Sequence, residues 1–69
     1  MKLSARNQLK GKIAKVAKGT TTAHVTVELP GGHKIMSSIT NEAVDDLALK
    51  AGDDAIVVIK ASDVMIAKE

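Results

Sequence analysis

The sequence predicts an all-β fold with one short helix. Three observations lead there. Apolar and polar residues alternate with period two along several stretches, most clearly from Ala23 to Leu29. Pro30-Gly31-Gly32 separates two such stretches, as a tight hairpin loop does. A single stretch with helical spacing follows the third strand and precedes the fourth. Three strands, a helix and two strands in that order make the OB-fold arrangement, a five-stranded, partly open Greek-key barrel. The whole chain of 69 residues is one domain.

The first strand is expected over Gln8 to Lys18. Leu9, Gly11 and Ile13 share one face, and then the pattern slips to Ala14 and Val16. A slip of one residue signals a β-bulge near Ile13–Ala14. Gly11 inside a strand permits a bend or a close backbone approach. Gly19 and Thr20 end the strand. In the second strand Ala23, Val25, Val27 and Leu29 alternate with His24, Thr26 and Glu28. The third runs from about His33 to Ile39, with Ile35, Ser37 and Ile39 on one face. Met36 on the other side hints that both faces are covered.

Thr40 or Asn41 is suited to cap the helix, with Glu42 in its first turn. Ala43, Val44, Leu47 and Ala48 fall at helical spacing. Lys50 suits the last turn and Gly52 the C-cap. Ala55 to Ala61 is the fourth strand, apolar on both faces and so expected to be buried on both. Val64 to Ala67 is expected as a short fifth strand, again apolar on both faces.

The core of this barrel must be small. A chain of this length buries only about 60% of its unfolded surface. It has no cysteine for a disulfide or a thiolate metal site, and no Phe, Tyr or Trp. Small scaffolds in that position often gain buried surface by assembling, so a homo-oligomer is expected. The start lacks an apolar signal segment. No run reaches the ~18 apolar residues of a membrane span. A soluble, cytoplasmic protein is expected.

Ten basic and eight acidic residues leave a net charge of only +2. A dedicated polyanion binder shows a clustered basic face. Six of the ten basic residues do lie in the first eighteen positions, which hold no acid. Lysines along a strand edge can also be a plain solvated surface that discourages sticking. A nucleic-acid-binding OB-fold module is the alternative reading, but it relies on aromatic rings that stack bases. Catalysis has little to work with: Ser4 and Ser62 lack a His-and-carboxylate relay, and His24 and His33 stand apart. A metal site would need three or four converging ligands, which the spacing does not supply.

Two stretches are rich in hydrogen-bond donors and nearly free of carboxylates. Ser4-Ala5-Arg6-Asn7-Gln8 offers a hydroxyl, a guanidinium and two amides. Lys60-Ala61-Ser62 repeats the recipe of a cation, a small residue and a hydroxyl, with Asp63 as its one awkward neighbour. An anion that only accepts hydrogen bonds would want such surroundings. Taken alone, each stretch also fits a plain structural role: a frayed terminus at Ser4, a solvent-facing strand residue at Lys60, a turn residue at Ser62.

Together these two stretches resemble the Mop, or molbindin, family of small molybdate-binding proteins, over nearly all of the chain from Lys2 to about Lys68. That family also has the OB-fold. The resemblance implies a site for the molybdate or tungstate oxyanion, with the metal bound only as oxyanion and no organic cofactor. Its residues would be Ser4, the backbone of Ala5, Arg6, Lys60, the backbone of Ala61, and Ser62. Thr40 is a further contact by the same analogy. The two stretches would meet across a subunit interface in a hexamer, a trimer of dimers. Lys18-Gly19-Thr20 would line an additional oxyanion site near a threefold axis, although a plain turn is the simpler reading of that segment. Storage or buffering of the oxyanion is the implied role, with no catalysis, no nucleic acid and no membrane as partner. Family members fused to a DNA-binding segment or a transport ATPase carry motifs that are not found here.

Overall fold

The computed structural model describes all 69 residues. Its elements in chain order are β1 (Asn7–Lys18), β2 (Thr22–Glu28), β3 (Lys34–Thr40), α1 (Asn41–Asp46) and β4 (Asp54–Ile59). A single 3-10 turn, Ala61–Asp63, follows. The four strands form one antiparallel sheet in the order β3-β2-β1-β4, curled into a half-barrel.

The long first strand is shared between two neighbours. Its first half pairs with β4, from Asn7↔Ile59 to Lys12↔Asp54, and its second half with β2. The register with β2 shifts between Ile13 and Lys15, so Ala14 is the extra residue of the bulge expected there. Ile13 is thereby buried and Val16 still packs against the core. Gly11 makes the close approach that its place suggested. A Cβ at this position would stand 2.5 Å from the Glu28 carbonyl oxygen and 2.8 Å from a Val27 methyl.

The β2–β3 hairpin turns through Gly31 and Gly32, whose φ values of 94° and 90° suit glycine. The Leu29 N–H donates to the His33 carbonyl at 2.7 Å and closes the loop.

Thr40 is the residue that caps α1: its hydroxyl oxygen accepts from the Ala43 N–H at 3.0 Å. The helix is shorter than its spacing predicts. It stops at Asp46, and Lys50 and Gly52 lie beyond it. The cause is a Schellman ending at Ala48, which takes a left-handed φ of 51°. The Leu49 N–H reaches the Val44 carbonyl at 3.1 Å, and the Ala48 N–H reaches Asp45 at 3.0 Å. Leu49 then packs on the core beside Val44, which is buried, while Leu47 is left exposed. Gly52, with φ 94°, serves a turn that leads into β4 instead.

Two further expectations change. Val64–Ala67 forms no strand and pairs with none of the four; Met65 and Ile66 are 92% and 90% exposed. The fourth strand is covered on one face only. Val57 and Ala55 pack toward the core, whereas Ile56 and Val58 remain exposed, as does Met36 on β3. The core is Ile13, Ala23, Val25, Val27 and Val44. Only six of 69 residues are buried, so the apolar pattern exceeds what one copy can cover.

Candidate oxyanion site

The two donor-rich stretches lie at one end of the sheet. Asn7↔Ile59 is the last pair of the β1–β4 ladder. Ser4-Ala5-Arg6 runs into that pair on one strand, and Lys60-Ala61-Ser62 runs out of it on the other. The antiparallel register therefore starts both stretches from the same end of the ladder, and no hydrogen bond joins one to the other.

Each stretch is held by its own local bonds. The Asn7 side-chain amide donates to the Ile59 carbonyl oxygen at 3.2 Å. The Gln8 amide reaches back to the Ala5 carbonyl at 3.5 Å, and Ala5 is buried. Each of these amides spends one of its two N–H donors on the backbone. The positioning role of Asn7 escapes a reading by residue type, because its partner is 52 positions away. The Ala5 and Arg6 N–H groups donate to no acceptor in the chain.

On the other side, Lys60 leads into the 3-10 turn with φ −65° and ψ 142°. The Asp63 N–H donates to the Lys60 carbonyl at 2.9 Å, and Val64 follows onto Ala61 at 3.3 Å. Ser4, Arg6, Lys60 and Ser62 are exposed.

The electrostatics separate this end from the other. The chain has two ion pairs, Lys12–Asp54 and Lys18–Asp45. The first sits at the far end of the same β1–β4 ladder, at 2.7 Å. Its hydrogen bond, helped by charge attraction, holds the Asp54 carboxyl below its ordinary pKa and the Lys12 ammonium above its own. Arg6 and Lys60 have no carboxylate within 4 Å. Two unpaired cations, two hydroxyls and open backbone N–H groups at one strand end can hold an anion that only accepts.

The remaining residues stand elsewhere. Thr40 is at the start of α1, its hydroxyl oxygen occupied as helix cap. At Lys18-Gly19-Thr20 the Gly19 N–H donates to the Thr22 carbonyl at 2.7 Å. Lys18 is paired with Asp45, and the Asn41 amide donates to the Gly19 carbonyl at 2.9 Å. That segment behaves as a turn with its own partners.

Residues 3–66 match the TOBE domain family. "Molybdenum-pterin-binding protein 3" of Clostridium pasteurianum is 50% identical over 66 residues, covering 96% of this chain and 97% of that protein. Among solved structures, MopII from Clostridium pasteurianum superposes with a TM-score of 0.91 at 46% identity, over 97% of this chain and 100% of its own. The cytoplasmic molybdate-binding protein ModG, in a form with molybdate bound, gives a TM-score of 0.91 at 48% identity, over 94% of this chain and 46% of that one. The four-stranded half-barrel and this coverage together make the chain a member of the TOBE domain family, of the Mop type.

Proposed function

We propose that this protein binds molybdate, and tungstate with it, reversibly in the cytoplasm, as a store or buffer. No bond is made or broken in that role. Ser4, Arg6, Lys60 and Ser62 would surround the oxyanion, with the backbone N–H groups of Ala5 and Ala61 completing the shell. The observation that carries this reading is the Asn7↔Ile59 register, which brings both donor stretches to one strand end where no carboxylate neutralises the cations. A dianion supplies the missing negative charge and only accepts hydrogen bonds. The molybdate-bound relative ModG supports the same ligand class. The working form in this proposal is a homo-oligomer, a hexamer built as a trimer of dimers. The many exposed apolar residues of a single copy support assembly. The resemblance also suggests Thr40 as a contact across such an assembly, and the Lys18–Thr20 turn as a further anion site.

Relatives named for molybdenum-pterin raise a second reading, an organic pterin as ligand. A flat heterocycle is ordinarily gripped by aromatic stacking, and the chain has no aromatic residue. The same lack disfavours single-stranded nucleic acid.

Isothermal titration with molybdate, tungstate and sulfate tests the proposal. Molybdate and tungstate should bind and sulfate should bind far more weakly. Arg6→Ala and Lys60→Ala should each weaken binding by roughly tenfold or more, the usual loss for a charge-assisted bond. No heat with molybdate, and no rise in the unfolding midpoint at millimolar concentration, would remove the proposal.

A further inference from the structure

One carboxylate stands beside the candidate oxyanion site with no part in it. Asp63 follows Ser62 directly and ends the 3-10 turn Ala61–Asp63. No other acidic residue lies within five positions of either donor stretch. The Asp63 backbone N–H donates to the Lys60 carbonyl at 2.9 Å. A turn of this kind stacks residues three apart over one another. An acid and a cation are thus held on one turn, yet they do not pair. Neither Lys60 nor Arg6 forms an ion pair with Asp63 within 4 Å. No hydrogen bond engages the carboxylate either, and the residue is exposed.

A free charge so placed acts on whatever anion the site holds. Successive Cα atoms are about 3.8 Å apart, so a carboxylate one residue beyond a ligating hydroxyl stands roughly 8 Å from the ligand. At low salt, repulsion over that distance through water weakens binding about twofold per unit of ligand charge. A dianion therefore feels it about fourfold.

We propose that Asp63 is the residue that keeps the oxyanion site releasable. Its unpaired carboxylate opposes the dianion that Arg6 and Lys60 attract, and it sets the affinity below what the donors alone would give. This inference rests on the oxyanion reading of the site. A store must let its contents go, and a fixed opposing charge achieves that without removing a donor. The opposition grows with ligand charge. Asp63 therefore also narrows the preference for dianions over monoanions of the same shape.

Asp63→Asn removes the charge at nearly constant shape. The side chain makes no bond, so the unfolding midpoint without ligand is expected to stay within about 3 °C of the parent. Affinities are measured in about 10 mM salt, where screening is weak. Molybdate, a tetrahedral dianion, is titrated directly, and perrhenate, a tetrahedral monoanion, by competition with it. Asp63→Asn is expected to tighten molybdate about fourfold and perrhenate about twofold, the first gain being near the square of the second. The molybdate gain should vanish in about 1 M salt. Asp63→Glu keeps the charge and should match the parent. Glu28→Gln removes an equal charge opposite Lys12, about 17 Å along β1 from Asn7, and should change molybdate affinity less than about twofold. Equal gains for the two anions, no gain for either, a gain that survives high salt, or an equal gain from Glu28→Gln would each overturn the role of Asp63 and leave the oxyanion site standing. A parent chain that binds no molybdate would instead remove the site, and this inference with it.

Discussion

Asn7 and Ile59 close the β1–β4 ladder, and the Asn7 side chain clamps that end by donating to the Ile59 carbonyl oxygen at 3.2 Å. Ser4-Ala5-Arg6 lies just before one partner and Lys60-Ala61-Ser62 just after the other. The clamp therefore fixes the spacing of the two stretches. Asn7→Ala is expected to cost about 1 kcal/mol of stability, the net worth of one such bond. Molybdate affinity should fall as well, although Asn7 is not proposed as a ligand. Calorimetric titration beside thermal unfolding checks both. An unchanged affinity would show that the ladder end needs no clamp.

Gly11 is required by contact. A methyl group there would sit 2.5 Å from the Glu28 carbonyl oxygen, which is backbone and cannot step aside. Gly11→Ala is expected to destabilise by roughly 1–3 kcal/mol, in the range of overpacked sites. For a domain of this size that lowers the unfolding midpoint by several degrees or more. A midpoint within a degree of the parent would contradict the close approach of β1 to β2.

Ala48 carries the opposite expectation. Its φ of 51° is left-handed, which costs a residue with a Cβ roughly 1–2 kcal/mol. Glycine removes that cost but gains about 0.4–1 kcal/mol of unfolded-chain freedom. Ala48→Gly should therefore stabilise, by about 0.5–1 kcal/mol. Denaturant titration is the measurement, and a destabilised variant would refute the Schellman ending of α1.

The Lys12–Asp54 pair sets a pH dependence. Its hydrogen bond and charge attraction hold Asp54 below the ordinary carboxylate value. The carboxylate's contribution is thus complete above about pH 4 and disappears as pH falls through the lower folded value. Lys12 is held above its ordinary value, so its share is complete through neutral pH and goes only as pH rises past that raised value. Both side chains are exposed, which keeps the effect small and sensitive to salt. The midpoint gap between parent and Asp54→Asn should be steady near neutrality and close on acidification to about pH 2. A gap that persists in acid would mean that the pair is not its source.

Much of this was legible beforehand because it is local. The bulge shows as a one-residue slip between Ile13 and Val16, the hairpin as Pro30-Gly31-Gly32, and the cap as Thr40 or Asn41 before Glu42, of which the structure uses Thr40. Each depends on side chains within a few positions of one another. The donor stretches at Ser4-Ala5-Arg6 and Lys60-Ala61-Ser62 were legible too, as residue types free of nearby acid apart from Asp63.

By itself the sequence determined the succession of the first four strands along the chain, the one helix before the fourth, and a core too small to satisfy its own apolar pattern. Only the tertiary structure decided that the two donor stretches share a strand end, and that Val64–Ala67 finds no strand to join within its own chain. Alternation dictates that a segment wants to be a strand and which face is apolar. It does not dictate the neighbour, because pairing joins residues as distant as Asn7 and Ile59, and the unpaired edges of β3 and β4 exist only once the sheet has curled.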